Sequence, residues 1–249
     1  MQISIEKSQV KGSVRAPASK SYTIRGLVCA ALAQGHSEVL YPLESDDTAA
    51  SARVLGQIGV SISPGPEILG VDGDQFHSPE GEMFCGDSAA TLRFMSAICA
   101  LVAGQCRLTA GPSLIKRPVR TLVIALNRWG IDIACQGETA PVTVRGGAFK
   151  GGSTELPGDI SSQYVSALLL IAPRGEKKAT IRLTNPLESR PYVLMTIECL
   201  RQFGIEVSYS NDFREYEVSP QAYRPTRYTV EGDWSSASYL VGLGAVAGE

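Results

Sequence analysis

Histidine is almost missing from this chain, which has only His36 and His77 in 249 residues. A metal centre built on several histidines is thereby excluded. A serine–histidine–carboxylate triad would have to recruit one of the two. Each lies in a polar, turn-like stretch, Gln34-Gly35-His36-Ser37 or Gln75-Phe76-His77-Ser78-Pro79. Cys29, Cys85, Cys99, Cys106, Cys135 and Cys199 include no Cys-x-x-Cys pair, so the common zinc and redox spacings are absent too. No apolar run reaches the roughly 18 residues that a membrane helix needs. An excess of one charge is also lacking, since 23 Lys+Arg face 25 Asp+Glu. A nucleic-acid coat or an anionic-membrane binder needs a large basic surplus. The opening run Met1-Gln2-Ile3-Ser4-Ile5-Glu6-Lys7 alternates like a strand and has no apolar signal core.

Apolar residues make up 44% and charged residues 19%, a balance that builds a core and argues against disorder. Twenty-five glycines and 14 prolines predict many turns. The expectation is a soluble, cytoplasmic protein whose thiols are reduced and mostly in the core.

One pattern recurs three times. Leu55-Gly56-Gln57-Ile58-Gly59-Val60-Ser61-Ile62 is echoed by Leu126-Asn127-Arg128-Trp129-Gly130-Ile131-Asp132-Ile133. It returns as Leu200-Arg201-Gln202-Phe203-Gly204-Ile205-Glu206-Val207. The shared glycines, Gly59, Gly130 and Gly204, are 71 and 74 residues apart. Each copy ends a helix-period segment on glycine and then alternates, which predicts a helix C-cap followed by a strand. Helices are predicted over 47–58, 118–129 and 191–203, with an earlier helix in each unit over 19–33, 88–103 and 161–172. Short strands at 37–41, 106–109 and 179–183 separate the two helices of each unit, and a final strand such as 142–145 closes it. The unit reads strand-helix-strand-helix-strand-strand, and periods this long indicate stacked supersecondary units. A fourth unit begins with a strand at Tyr228-Thr229-Val230-Glu231 and a helix from Asp233 towards the last residue. It breaks off in mid-unit, so the chain is expected to be part of a longer protein or a half that needs a partner.

The first helix of each unit opens on small hydroxyl residues beside charge. These are Ser19-Lys20-Ser21 with Arg25, Asp87-Ser88 with Thr91 and Arg93, and Ser161-Ser162-Gln163. Helix N-termini offer unpaired N–H groups and positive potential. Three such ends on one surface, with Lys20, Arg25 and Arg117 added, would bind phosphates or carboxylates; singly, each serine reads first as an N-cap. In Lys116-Arg117-Pro118 the proline fits the first position of a helix and Arg117 projects from the loop before it. Tyr192, after Ser189-Arg190-Pro191, holds the matching place in the third unit. Asp46-Asp47-Thr48 most simply caps a helix. No Gly-x-Gly-x-x-Gly follows a strand and no Gly-Lys-Ser loop is present, so nucleotide folds have no support.

Taken together these residues resemble the 5-enolpyruvylshikimate-3-phosphate synthase family of enolpyruvyl transferases. The runs that carry the resemblance start with Pro17-Ala18-Ser19-Lys20-Ser21-Tyr22-Thr23-Ile24-Arg25, Ser45-Asp46-Asp47-Thr48 and Gly86-Asp87-Ser88-Ala89-Ala90-Thr91-Leu92-Arg93. They continue with Arg117-Pro118, Ser161-Ser162-Gln163, Ser189-Arg190-Pro191-Tyr192 and Glu231-Gly232-Asp233-Trp234-Ser235-Ser236-Ala237-Ser238-Tyr239. They occur in the family's order and span nearly the whole chain.

The resemblance implies an α/β fold, an inside-out α/β barrel of repeated βαβαββ units, with three complete units and the start of a fourth. Residues 14–227 would form one complete domain, and 1–13 with 228–249 would be pieces of a second. The implied reaction moves the enolpyruvyl group of phosphoenolpyruvate to the 5-hydroxyl of shikimate 3-phosphate by addition and elimination. Phosphate leaves, and no metal or organic cofactor takes part. By motif, Ser161, Ser162 and Ser189 would hold the shikimate phosphate, Ser21 and Arg25 its carboxylate, and Gln163 and Tyr192 its ring. Lys20 would serve both substrates. Arg117, with Ala89 and Gln163 nearby, would face phosphoenolpyruvate. The family's acid/base carboxylates would lie outside this chain, so the expectation is binding without turnover.

Two residues depart from the family pattern. Ala89 stands where many relatives have glycine, which implies glyphosate tolerance in the intact enzyme, and Asp87 stands where asparagine is usual. One alternative is a non-catalytic anion-binding half that pairs with a separate chain. Another is the sister transferase acting on UDP-N-acetylglucosamine. Against the sister, Ser21 rather than asparagine follows Lys20, and the loop Gly111-Pro112-Ser113-Leu114-Ile115-Lys116 has no cysteine.

Overall fold

The structure is a computed structural model that describes residue 4 and residues 10–248. The strand expected over residues 1–7 lies outside the described residues, apart from residue 4.

The first unit runs α1 (Lys20–Leu32), β1 (Gly35–Leu40), α2 (Asp46–Gln57), β2 (Ser61–Gly65) and β3 (Ile68–Gly73). The second runs β4 (Met83–Phe84), α3 (Ala89–Ile98), β5 (Gly104–Thr109), α4 (Arg120–Arg128), β6 (Asp132–Gln136) and β7 (Thr139–Gly146). The third runs β8 (Gly152–Leu156), α5 (Ser162–Ile171), β9 (Ala179–Leu183), α6 (Arg190–Gln202), β10 (Ser208–Tyr209) and β11 (Glu215–Val218). The chain continues through β12 (Arg227–Thr229) and α7 (Trp234–Ala247).

The predicted helix ends hold within a residue or two, except where α3 and α5 finish in short 3-10 turns, Cys99–Leu101 and Ala172–Arg174. Gly59, Gly130 and Gly204 all take positive φ, at 102°, 84° and 81°, so the three repeated glycines end α2, α4 and α6 as their spacing predicts. Pro118 is displaced from its expected place. α4 starts at Arg120 behind Val119, which makes no side-chain cap. The proline lies in the approach to the helix, where its carbonyl accepts from Tyr164 Oη at 2.6 Å.

Each unit builds one four-stranded sheet. The second has order β4-β5-β7-β6 and the third, in the same sense, β8-β9-β11-β10, with a parallel first pair and antiparallel pairs after it. The first unit has no strand of its own ahead of α1 among the described residues. β12 fills that place, running parallel to β1 with Val39 opposite Tyr228, to give β12-β1-β3-β2. The boundary expected after residue 227 therefore cuts through a strand of this sheet. Tyr228 and Val230 are buried in the same core as the three units.

The helices that open each unit are apolar nearly all round. α1, α3 and α5 bury almost every residue, and the sheets lie outside them. That is the inside-out arrangement, and it follows from sequence, because a helix without a polar face must be covered on every side. Close packing fixes β12 against this centre. A methyl on Gly26 of α1 would stand 2.5 Å from Tyr228 Cε1, so the ring lies directly on the helix backbone. Trp129 at the end of α4 stacks on Phe149 with centroids 5.8 Å apart, and its Nε1 donates to Gly152 O at 2.9 Å, joining the second unit to the third. α7 is different. It is as apolar as the central helices yet has no buried residue, with Trp234, Tyr239 and Val246 more than four-fifths exposed. Val10 N donates to Ala247 O near its end.

Candidate functional site

The starts of five helices meet at one cavity of about 550 Å³. α1 brings Lys20, Ser21 and Arg25, α2 brings Asp47, and α3 brings Ala89. α5 contributes Ser162 and Gln163 behind its cap Ser161, and α6 brings Tyr192 behind Ser189. Arg117 reaches in from the bend before α4. All ten residues singled out from sequence thus line one wall. Two larger hollows, of about 680 and 780 Å³, contain none of them. His36 pairs with Asp72 and His77 meets Ser78 O, both away from this cavity.

The cap geometry explains the convergence. Ser19, Ser88 and Ser161 each accept a backbone N–H of the first turn of α1, α3 and α5. The helices therefore start in register and aim their positive ends at the same space. Ser45 and Thr48 form a reciprocal capping box on α2, so Ser45 is the cap, and Asp46 and Asp47 sit in the first turn. Asp47 Oδ2 is 2.7 Å from Lys20 Nζ, a half-exposed ion pair across the mouth. Ser189 departs from the pattern. It sits at φ 55° and makes no side-chain cap, which leaves its hydroxyl facing the cavity.

Arg25 forms the floor. It is 2% exposed, and among the described residues no carboxylate pairs with it. Its Nε donates to Thr196 Oγ1 at 2.7 Å and its Nη1 to Ser21 O at 3.0 Å. Nη2 donates to Tyr192 O at 3.2 Å and to Ser166 Oγ at 3.4 Å. Burial pushes its pKa below the usual guanidinium value. Arg117 is exposed, and among the described residues its side chain has no hydrogen-bond or ion-pair partner. Asp87 serves the loop beside it. Its Oδ1 accepts from Ser113 N at 3.0 Å and Leu114 N at 2.9 Å, capping the 3-10 turn that leads to Arg117. Asparagine could accept the same two bonds, so the cap tolerates either side chain while the charge facing the cavity changes.

Sequence reasoning noted Arg93 as a charge near the start of α3 without giving it a place in the site, and it missed Ser166 and Thr196 altogether. Arg93 Nη1 donates to Gln163 Oε1 at 2.8 Å and to Ser161 Oγ at 3.1 Å. Helical spacing offered a signal for all three. Arg93 is four residues after Ala89, Ser166 four after Ser162 and Thr196 four after Tyr192, so each shares a face with a predicted site residue one turn earlier.

The family model described as EPSP synthase (3-phosphoshikimate 1-carboxyvinyltransferase) matches residues 5–249. The chain belongs to the EPSP synthase family. It is 47% identical over 249 residues to the 3-phosphoshikimate 1-carboxyvinyltransferase of Dehalococcoides mccartyi strain 195, covering 99% of this chain and 59% of that protein. It is 38% identical over 252 residues to the Methanothermobacter thermautotrophicus protein of the same name, covering 100% and 59%. The chain therefore spans about 59% of the length of these curated relatives. Among solved structures, EPSP synthase from Acinetobacter baumannii superposes with a TM-score of 0.84 at 26% identity, over 95% of this chain and 54% of that one. The enolpyruvyl transferase NikO from Streptomyces tendae shares the fold, with a TM-score of 0.68 at 17% identity over 95% and 55%. Within the EPSP synthase family, the inside-out α/β arrangement and the repeated units are thus accounted for. No described helix is long and apolar enough to cross a membrane.

Proposed function

We propose that this chain forms the shikimate 3-phosphate side of an enolpyruvyl transferase site, in a protein that transfers the enolpyruvyl group of phosphoenolpyruvate to the 5-hydroxyl of that substrate. The observation that carries the reading is Arg25, a guanidinium buried at the floor of a cavity without a carboxylate partner among the described residues. A buried cation is costly unless an anion arrives to pair with it. Around it, the hydroxyls of Ser21, Ser162 and Ser189 have no side-chain hydrogen bond within the described residues, and all three face the cavity. A ligand bearing one carboxylate and one phosphate fits this set. Arg25 and Ser21 hold the carboxylate, and Ser161, Ser162 and Ser189 hold the phosphate. Gln163 and Tyr192 flank the ring, while Lys20 and Arg117 meet the phosphate and carboxylate of phosphoenolpyruvate beside Ala89. Charge-assisted bonds of this kind orient both substrates before reaction.

In the reaction, the 5-hydroxyl gives up its proton as its oxygen bonds to C2 of phosphoenolpyruvate, and a proton adds at C3. The tetrahedral intermediate then loses phosphate from C2 and a proton from C3. The cavity supplies cations and hydroxyls for this but little acid–base chemistry. Its two carboxylates among the described residues are already engaged, Asp47 with Lys20 and Asp87 with the Ser113–Leu114 amides. The chain by itself is therefore a binding half, expected to bind shikimate 3-phosphate and not to release phosphate from the two substrates. The six free thiols, five of them buried, fit a cytoplasmic setting.

Calorimetric titration of shikimate 3-phosphate, with UDP-N-acetylglucosamine as control, tests the reading. Saturable binding of the first alone supports it. Binding of the nucleotide sugar alone would shift the assignment to the sister reaction, and no binding by folded chain would refute the half-site. The Ala89 methyl, 8% exposed, lines the cavity beside Arg117 and Gln163, on the side assigned here to phosphoenolpyruvate. In the intact enzyme it is expected to hinder glyphosate, which is longer than phosphoenolpyruvate. Ala89→Gly should sharpen glyphosate inhibition, and an unchanged inhibition constant counts against this placement.

A further inference from the structure

We infer that Arg93 is a positioning residue that turns Ser161 and Gln163 into hydrogen-bond donors aimed at the cavity, an inference that rests on the anion-binding reading above. The physical basis is hydrogen-bond polarity. A serine hydroxyl can donate or accept, and a glutamine amide can present either its oxygen or its nitrogen. A site for anions needs the donor in both cases. Arginine has donors only, so a group that meets it must offer an acceptor.

Arg93 Nη1 carries two hydrogens, and each is used. One goes to Gln163 Oε1 at 2.8 Å and the other to Ser161 Oγ at 3.1 Å. The first bond decides which way the amide lies, because a flipped Gln163 would put its NH2 against the guanidinium. Gln163 Nε2 is left towards the cavity and makes no hydrogen bond with the described residues. Ser161 Oγ also accepts from Gln163 N at 3.3 Å. With two incoming donors its lone pairs are occupied, and its own hydrogen is left to donate.

The guanidinium is itself held. It lies over the Tyr164 ring with Cζ 4.9 Å from the centroid, and Nη2 is 3.5 Å from Pro118 O. Tyr164 Oη donates to that same carbonyl at 2.6 Å. The chain from α3 to the α5 start and the Arg117-Pro118 bend is thus continuous. No carboxylate among the described residues pairs with Arg93, so its charge also adds to the attraction for an anion.

The test uses isotope-labelled chain and the variants Arg93→Met and Arg93→Lys, the latter keeping the charge but losing the planar fork. The first arm needs no ligand. In the wild type the Gln163 side-chain amide should give one ordered pair of proton resonances, and in Arg93→Met it should become mobile. An amide as mobile in the wild type as in the variant overturns the inference, whether or not substrate binds. The second arm titrates shikimate 3-phosphate and shikimate, which lacks the phosphate. Arg93→Met should weaken the phosphorylated ligand about tenfold more than shikimate, as expected for misdirected bonds to a charged group. Arg93→Lys should fall between. Equal weakening of both ligands, or none, overturns the inference by making Arg93 a general strut or a bystander. If the wild-type amide is ordered but shikimate 3-phosphate does not bind, the half-site reading fails while the positioning by Arg93 stands.

Discussion

Replacing Arg25 by methionine separates stability from binding. The side chain is 2% exposed and donates four hydrogen bonds, to Thr196, Ser21, Tyr192 and Ser166. Bonds from a charged donor contribute about 1.5–3 kcal/mol each, so their loss alone would cost roughly 6–12 kcal/mol. None of the acceptors is orphaned by that loss. The carbonyls of Ser21 and Tyr192 keep their helical N–H partners. Thr196 Oγ1 lies 2.8 Å from Ser166 Oγ and 3.1 Å from Tyr192 O, and retains both contacts. Against the lost bonds stands the removal of a buried, carboxylate-free charge, whose penalty in proteins is several kcal/mol. The two effects partly offset, and Arg25→Met should lower the unfolding free energy by less than about 4 kcal/mol. Ligand binding has no such compensation. Truncating one partner of a buried charge pair costs about 2–5 kcal/mol, so affinity for shikimate 3-phosphate should fall roughly 30-fold or more. Urea unfolding and calorimetry on the same two preparations supply both numbers. Destabilisation beyond about 4 kcal/mol would show the arginine to be a structural strut, whose bonds outweigh its charge. Unchanged affinity in a folded variant would refute its place opposite a carboxylate.

Three further outcomes follow from the packing and the charges. Gly26→Ala puts a methyl 2.5 Å from the Tyr228 ring and should cost about 1–3 kcal/mol by urea unfolding, and a neutral result would show that β12 can slide off α1. Asp87→Asn retains the cap on Ser113 and Leu114 but removes a negative charge from the cavity. Stability should hold within about 0.5 kcal/mol while phosphoenolpyruvate affinity at low salt rises severalfold. Weaker binding would mean that the carboxylate itself serves the ligand. Burial raises the Cys199 thiol from 9.0 to about 11, so the unfolded chain loses this proton first and stability declines as pH climbs from about 9 to about 11. Between about pH 8 and about pH 10.5 this group alone removes about 2 kcal/mol. Cys199→Ala should flatten the alkaline slope by that amount, and an unchanged slope would discount the thiol.

Much of the architecture was legible because it repeats. Gly59, Gly130 and Gly204 end their helices at positive φ as their spacing predicts, and the opening serines are caps as their position predicts. The ten candidate residues share one cavity because each lies within about a turn and a half of a helix start, which is where a local motif determines geometry. What sequence did not reveal is non-local. The parallel strand beside β1 comes from residues 227–229, and no local pattern says which distant strand fills an edge. Ser166 and Thr196 read as incidental polar residues, and Arg93 as no more than a charge near a helix start, until α3, α5 and α6 are brought side by side. Pro118 fits a helix start by composition, but its carbonyl is held by Tyr164 from another unit, and the helix begins two residues later. The second role of Asp87, towards the loop before Arg117, likewise depends on a turn more than two dozen residues away.

The closure of the first sheet by β12 also dictates an order of events. Ser37 Oγ accepts from Thr226 N across a separation of 189 residues, and the β1–β12 ladder begins beside that bond. On a ribosome the second and third units can pair their own strands as soon as they emerge, since every contact within their sheets is made inside one unit. The first unit is made earliest and finished last, for β1 keeps an unpaired edge until residues 227–229 arrive. Pairing over such a span is slow, because the loop must be closed before the contact stabilises anything. Throughout that interval the edge of β1 is a template for any other extended chain. The same strand that completes the first sheet is therefore the step at which a nascent chain is most exposed to aggregation, and at which a chaperone holding β1 has most to protect.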